Sequence, residues 1–412
     1  MSARKILILS HNFRHVGTYF RARQIARHFV RQGCDTTFIY IGQDNRFRPI
    51  EREEDGLRII ESPNYSHLFN WQEGWSAFDW WARLGVVREQ RFDQIFCFGH
   101  KPDILLPARH AQFWRASTVI ADWCDMWGGP DGIIEKTIKP SADYRQRRFY
   151  QRWARAVGFA VEKQLEQRFC RNSHGAMVIC DYLRCACMLQ GMDEERVQLI
   201  YTGCDTEKVR VEDQAECRRE WELEPDDEVL GYIGNFQPDT PILLGALRIL
   251  AQRRPKLKLL AAGAGFGGGI ARDYSPETAA CIRHAGFQPF ERISSLLGAC
   301  DVLLLPMADV TLNRARWPHK FTDYLASGRP VACSNVGDVA GFVERHETGL
   351  RSEPNAEAFA ECIHAMLDQS GRLPQWGANA RRLAENELSW PHQLKKLDAW
   401  LERIEEKRNL TP

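Results

Sequence analysis

The densest chemical pattern in the chain is Asn313-Arg314-Ala315-Arg316-Trp317-Pro318-His319-Lys320-Phe321-Thr322-Asp323-Tyr324-Leu325-Ala326-Ser327-Gly328-Arg329-Pro330-Val331. Proline is favoured in the first turn of a helix, so a helix opening near Pro318 is predicted. Arg316 then lies just ahead of it, and Lys320 and Asp323 fall within its first two turns. Three residues apart, those two share a face. An ammonium beside free helix N–H groups can hold a diphosphate. A carboxylate one turn further can accept hydrogen bonds from ribose hydroxyls. The same spacing also describes a surface helix with an i,i+3 ion pair, and the isolated residues do not decide between the two.

Two loops in the N-terminal half carry further candidates. Ser10-His11-Asn12-Phe13-Arg14-His15-Val16-Gly17-Thr18 links a first strand to a first helix, and Gly17 permits either close backbone approach to a phosphate or a plain turn. Val119-Ile120-Ala121-Asp122-Trp123-Cys124-Asp125 ends a later strand. Asp122 and Asp125 are candidate catalytic residues that orient an acceptor or balance developing positive charge, unless one of them caps the next segment.

These residues need elements to hold them. A short apolar run at 5–9, a helical pattern at 18–31 with Phe20, Ala22, Ile25, Ala26, Phe29 and Val30 on one side, and a β-branched run at 36–41 make a βαβ unit. In that helix Arg21, Arg23, Arg27 and Arg31 are expected on the other faces. Buried-strand runs recur at 94–98, 118–121, 176–179 and 198–201. A polar, acidic stretch from 206 to 228 breaks the pattern as a linker or surface helix. The alternation then restarts at 229–233 and continues at 257–262, 302–306, 331–334 and 349–351, with a final helix from Pro391 to about Lys407. A chain of 412 residues exceeds the roughly 250–300 residues that one core supports. The expectation is therefore two doubly wound α/β domains, 1–203 and 204–390, with 391–412 a helix crossing back to the first. Open sheets of this kind bind ligands at their strand C-terminal ends, here in a cleft between the two domains.

Composition narrows the function classes. A net charge of +1 gives no general attraction for nucleic acid. Thirteen cysteines are scattered without zinc spacing or a secretory leader, so reduced thiols in a cytoplasmic protein are expected, with no metal site even at Cys180, Cys185 and Cys187. No apolar run reaches the ~20 residues of a membrane span.

The segment from Lys320 to Val331, ending Leu325-Ala326-Ser327-Gly328-Arg329-Pro330-Val331, resembles the C-terminal signature of the family 4 retaining glycosyltransferases of the GT-B type. Gly234-Asn235 after the first strand of the second domain, Gly263 and Gly265, Ala299-Cys300-Asp301-Val302-Leu303-Leu304-Leu305-Pro306 and Glu347-Thr348-Gly349-Leu350 agree in order and spacing. The resemblance covers most of the C-terminal half and, more weakly, the first 40 residues. It implies two Rossmann-like domains and transfer of a sugar from a nucleotide-sugar donor to a glycan, lipid-linked or other acceptor, by front-face displacement and without cofactor or metal. By the resemblance Asp323 binds the donor ribose, Lys320 and Arg316 meet the diphosphate with Arg314 in reserve, and Gly17, Gly234, Asn235, Gly263 and Asn313 complete the donor site. Three departures stand out: Ala315 replaces the first family glutamate, Cys124 stands where histidine is usual, and Gly234-Asn235-Phe236-Gln237-Pro238-Asp239 lacks the family's basic pair.

Two surface features bear on the acceptor. Tyr65, Phe69, Trp71, Trp75, Phe78, Trp80 and Trp81 form an aromatic cluster, suited to sugars and lipid headgroups or to a core-facing helix. The region 145–171 mixes Arg145, Arg147, Arg148, Arg152, Arg155, Lys163, Arg168 and Arg171 with Phe149, Tyr150, Trp153, Val157, Phe159 and Val161. That is either a peripheral contact with anionic lipid on the inner membrane face or a solvated helix paired to Glu162 and Glu166. The rival functions are a catalytically inactive nucleotide-sugar-binding or scaffolding protein of the same fold, and an epimerase or phosphorylase.

Overall fold

The computed structural model describes residues 3–64, 74–234, 239–263 and 275–410. The chain forms two units, Met1–Ile200 with Leu394–Pro412, and Tyr201–Gln393. Among the described residues the first unit has strands β1 (Lys5–Phe13), β2 (Asp35–Asn45), β3 (Ile50–Glu54), β4 (Leu57–Asn64), β5 (Gln94–Phe98), β6 (Thr118–Trp123), β7 (Gly175–Val178) and β8 (Val197–Leu199). They make one sheet in the order β3-β4-β2-β1-β5-β6-β7-β8, parallel except for β3 against β4. Ile6, Leu7, Ile8 and Leu9 are wholly buried, as a strand covered on both faces requires.

The hairpin β3–β4 has no counterpart in the apolar-run reading, because β3 is Ile-Glu-Arg-Glu-Glu and lies at the sheet edge with little apolar content to mark it. Asp55 and Gly56 both take positive φ at its two-residue turn, the geometry that matches strand twist. In the first helix, Tyr19–Arg31, the buried side is Tyr19, Arg21, Ala22, Ile25, Ala26 and Phe29. Phe20, expected in the core, is 48% exposed, and Arg21, expected outside, is 1% exposed.

The second unit has strands β9 (Glu228–Ile233), β10 (Leu257–Ala262), β11 (Ile282–Gly286), β12 (Val302–Leu305), β13 (Val331–Ser334) and β14 (Gly349–Ser352). All pairings are parallel, in the order β11-β10-β9-β12-β13-β14. Counted within the unit, this is the 3-2-1-4-5-6 order of a dinucleotide-binding sheet, whose topological switch point lies between β9 and β12. Leu243, Ala246, Leu247 and Leu250 on the helix Thr240–Arg253 repeat at i, i+3, i+4 and i+7 and pack with Phe359, Ile363 and Met366 over Leu230, Leu259 and Leu304. The stretch 206–228 contains the helix Gln214–Glu220, capped by Asp213 and anchored by the Arg218–Asp301 ion pair at 2.7 Å. The last helix is Trp390–Leu410.

Candidate functional site

In the second unit the chemistry gathers where β9 and β10 end. Gly234 follows β9 with φ near 140°, and Gly263 follows β10 with φ near 136°. A Cβ on Gly263 would lie 2.0 Å from the Gly234 carbonyl oxygen, and one on Gly234 would lie 2.8 Å from Lys320 Nζ. Both positions therefore require glycine, and the reason is close backbone approach as well as positive φ. The helix His319–Ala326, with Pro318 at its N-cap, places Lys320 across this corner, Nζ 4.0 Å from the centre of the Tyr232 ring. Burial, then the Arg316 charge, lower the Lys320 pKa to about 7, against the opposing pull of Asp239. Lys320 has no carboxylate within ion-pair distance among the described residues.

Arg316 donates to Asp239 Oδ2 at 2.9 Å, and its buried Nε has no hydrogen-bond partner among the described residues. Asp239, which sequence reasoning overlooked as part of a loop without a basic pair, organises the site. Its Oδ1 accepts from Ala308 N at 2.7 Å and from Asn313 Nδ2 at 2.6 Å. Asn313, expected at the sugar, is instead wholly buried, with its amide nitrogen shared between Asp239 and the Ala308 carbonyl. Arg314, expected in reserve for phosphate, is tied bidentately to Asp309 at 2.6 Å. Ala315 is wholly buried. Asn235 and Gly265 lie outside the described residues.

Asp323 sits one turn beyond Lys320, but its neighbourhood differs. Burial, then the Asp205 charge, raise its pKa to about 7. Next to it Tyr324 closes the switch point. The β9–β12 pairing stops at Leu303↔Gly231, and beyond it Tyr324 Oη accepts from Ile233 N at 3.1 Å and donates to the Leu304 carbonyl at 3.3 Å. One hydroxyl thus satisfies the two backbone groups left where the strands diverge. Tyr324→Phe is expected to cost about 1–3 kcal/mol of stability through those orphaned groups, read as a lower denaturation midpoint at unchanged m-value.

In the first unit a cavity of about 120 Å³ opens at the C-terminal ends of β1, β5 and β6 and is lined by His11, Gly17, His100, Asp122, Asp125 and Trp127 among others. Gly17 has φ near 56° and packs over the Asn12 amide, whose oxygen accepts from Thr18 N at 3.2 Å. His11 Nδ1 donates to the Phe98 carbonyl at 2.7 Å, past Gly99, where any Cβ would lie 2.1 Å from that nitrogen. Burial, then Lys101, hold the His11 pKa at about 3, so the ring is neutral with Nε2 as acceptor. His100 and Lys101 lie 3.3 and 4.0 Å from buried Glu162. None of these four was singled out from sequence as part of a site, because His11, His100 and Lys101 each read alone as an ordinary polar residue near a strand end and Glu162 as a mid-helix partner for surface arginines.

Asp122 does not present a free carboxylate. Arg21 lies 3.0 Å from its Oδ1, and the Cys124 thiol donates to its Oδ2 at 2.7 Å. Burial, then the Asp122 charge, push the Cys124 thiol well above its ordinary pKa, so it stays protonated and cannot act as a base. Asp125 lines the same cavity and is half-buried.

The two surface features also resolve. Tyr65, Phe69 and Trp71 lie outside the described residues. On the helix Ala77–Glu89 the buried face is Asp79, Arg83 and Val87, while Phe78 and Trp81 are exposed, so those aromatics are not core anchors. On the helix Phe149–Phe169, Glu162 and Glu166 are buried and do not pair with surface arginines. Glu166 accepts from Trp127 N at 2.7 Å and Gly128 N at 2.6 Å. Phe149, Tyr150, Trp153, Val157 and Val161 are 82, 60, 64, 47 and 43% exposed and fall on one side.

Two mainly parallel α/β sheets with glycines at their strand ends define a protein of the GT-B fold class. Residues 213–383 match the family of glycosyl transferases group 1, and residues 17–208 match Glycosyltransferase Family 4. The chain belongs to the family 4 glycosyltransferases. It is 29% identical over 214 residues to D-inositol 3-phosphate glycosyltransferase of Rhodococcus jostii, covering 49% of this chain and 46% of that one. The chain thus spans about half the length of the curated relatives it matches. Among solved structures, sucrose-phosphate synthase from Thermosynechococcus elongatus superposes with a TM-score of 0.72 at 16% identity, covering 98% of this chain and 100% of that one. Anabaena Alr3699/HepE in complex with UDP gives 0.68 at 16% identity, covering 97% and 100%. At these identities the likeness establishes the fold. No helix among the described residues is long and apolar enough to cross a membrane.

Proposed function

We propose that the protein is a retaining glycosyltransferase that takes a sugar from a nucleotide diphosphate donor held by the second unit and passes it to a glycan or lipid-linked acceptor, in surface polysaccharide or glycoconjugate synthesis. The observation that carries this reading is Lys320, an ammonium without a carboxylate partner among the described residues at the glycine corner after β9, with Arg316 oriented beside it by Asp239. The acceptor hydroxyl attacks the anomeric carbon as its bond to the diphosphate oxygen breaks. The hydroxyl proton passes to that leaving oxygen, and the nucleoside diphosphate departs with its charge met by Lys320 and Arg316. Asp323 holds the donor ribose, and Asp125, with neutral His11 near it, faces the acceptor. No cofactor or metal is required. The UDP held by a structural neighbour makes a uridine nucleotide the first donor to test.

Incubation with a panel of nucleotide sugars and acceptors, followed by nucleotide release and NMR of the product anomer, tests the reading. Transfer with retained configuration supports it. Nucleotide binding without turnover against any acceptor favours the binding-protein alternative, for which buried Ala315 at the family glutamate position is the specific observation.

The acceptor side is proposed to rest peripherally on the inner face of an anionic membrane. The exposed side of the helix Phe149–Phe169 carries the five apolar residues named above, and Arg145, Arg148, Arg152, Lys163, Arg168 and Arg171 are exposed around it with no exposed carboxylate between 144 and 171. Wild-type protein is expected to co-sediment with phosphatidylglycerol vesicles and not with phosphatidylcholine vesicles. Trp153→Glu should lower the bound fraction at least several-fold, and equal binding to both vesicle types would refute the contact.

A further inference from the structure

The first unit has a second cavity that the transferase reading does not use. It has a volume of about 450 Å³, opens to solvent and is lined by Arg171, His174, Arg196, Lys407 and Arg408 among others, with Ile404 as an apolar wall and no aspartate or glutamate. Its place is fixed by the strand starts: Thr118 opens β6, Gly175 opens β7 and Val197 opens β8. The acceptor cavity lies at the other end of β6, about 20 Å away at ~3.3 Å per residue.

Two of the cations are held by neutral groups. Arg196 donates to the carbonyls of His174, at 3.1 Å, and Ser173. Arg408 donates to Thr118 Oγ1 and the Ala116 carbonyl. Such bonds fix the guanidinium planes without cancelling their charge. Lys407 pairs with Glu195, and Arg171 makes no ion pair among the described residues. His174 Nδ1 accepts from Val119 N at 2.9 Å, so its Nε2 carries the proton and is a donor. Burial, then the neighbouring Arg408 and Arg196 charges, lower the His174 pKa to about 4, so the ring is neutral. Three cations without a carboxylate partner among the described residues, Arg171, Arg196 and Arg408, converge on one open pocket, and with pre-oriented forks and a neutral donor they suit an oxyanion with several acceptor oxygens. The volume suits a small molecule.

We propose that this cavity binds a phosphorylated small ligand, a phosphate monoester or diphosphate, at the sheet end away from the transfer chemistry. The ligand bridges the loop Arg171–His174 to the last turns of the C-terminal helix, and so stabilises the first unit.

The test is calorimetric titration with pyrophosphate and with inorganic phosphate, on a Lys320→Ala background so that the proposed donor site does not contribute. Arg171 is the residue to change, being exposed and free of structural bonds. Arg171→Ala is expected to weaken pyrophosphate binding about tenfold, Arg171→Glu to abolish it at millimolar ligand, and Arg171→Lys to retain most of it. Pyrophosphate should also raise the melting temperature of Lys320→Ala, and the rise should vanish with Arg171→Glu. Vesicles containing phosphatidic acid form a second arm. Binding of the soluble anions identifies a free phosphate ligand, and binding of those vesicles alone identifies a lipid phosphate when it is sensitive to Arg171→Glu, survives Trp153→Glu, which removes the helix contact, and exceeds binding to phosphatidylglycerol vesicles of equal charge. Binding to neither, or binding indifferent to both Arg171→Ala and Arg171→Glu, overturns the proposal.

Discussion

Lys320→Ala is expected to lower donor affinity by about one to two orders of magnitude, since a hydrogen bond to a charged group contributes about 1.5–3 kcal/mol. The pH dependence gives the sharper signature. In the free protein the Lys320 ammonium titrates at about 7, and a diphosphate beside it raises that pKa. Binding is therefore strongest below pH 7 and weakens as pH climbs from 7 toward the bound pKa, by up to tenfold per unit. Asp323 also titrates at about 7 in the free protein, and ribose hydroxyls that donate to its ionised form lower that value on binding. Its contribution is complete above pH 7 and fades as pH falls through the bound pKa. The two slopes give an affinity maximum near pH 7. Lys320→Ala should remove the alkaline slope and leave the acid one, while Asp323→Asn should do the reverse. Calorimetry across pH 5.5–9 checks both. A wild-type affinity flat across that range, or an alkaline slope surviving in Lys320→Ala, would place the diphosphate elsewhere.

The sequence made the scaffold of this site legible for a definite reason. Buried parallel strands are continuous apolar runs, so β1, β5, β9, β10, β12 and β13 announced themselves, and glycines needing positive φ marked their ends. The edge strand β3 did not, because Glu51, Arg52, Glu53 and Glu54 carry no apolar signal. Motif spacing located Lys320 and Asp323 along one helix and Arg316 just ahead of it, but not what each faces. Asp239 turns Arg316 and draws Asn313 away from any ligand, and Asp239 was hidden because its partners lie 74 and 77 residues along the chain. The His11, His100, Lys101 and Glu162 group was hidden likewise, being assembled from three elements. One signal was available: Arg21 on a helix otherwise apolar at 19, 22, 25, 26 and 29 falls on the buried face by periodicity, and a buried arginine requires a carboxylate.

That carboxylate is Asp122, and the pair yields a large expected stability effect. Arg21 and Asp122 side chains are 1% and 0% exposed, so their attraction is unscreened and so is the penalty for leaving either alone. Arg21→Met should cost about 3–5 kcal/mol, because Asp122 would keep only the Cys124 thiol as a donor. Replacing both members, Arg21→Met with Asp122→Leu, removes the stranded charge and should recover most of that loss, as a denaturation series would register. The same pair of variants separates packing from catalysis. An Asp122 that serves only to join the first helix to β6 leaves turnover by the double variant within a few-fold of wild type once stability is restored. An Asp122 that takes part in the chemistry leaves the double variant stable and inactive, and the acceptor-side assignment would then pass from Asp125 back to Asp122.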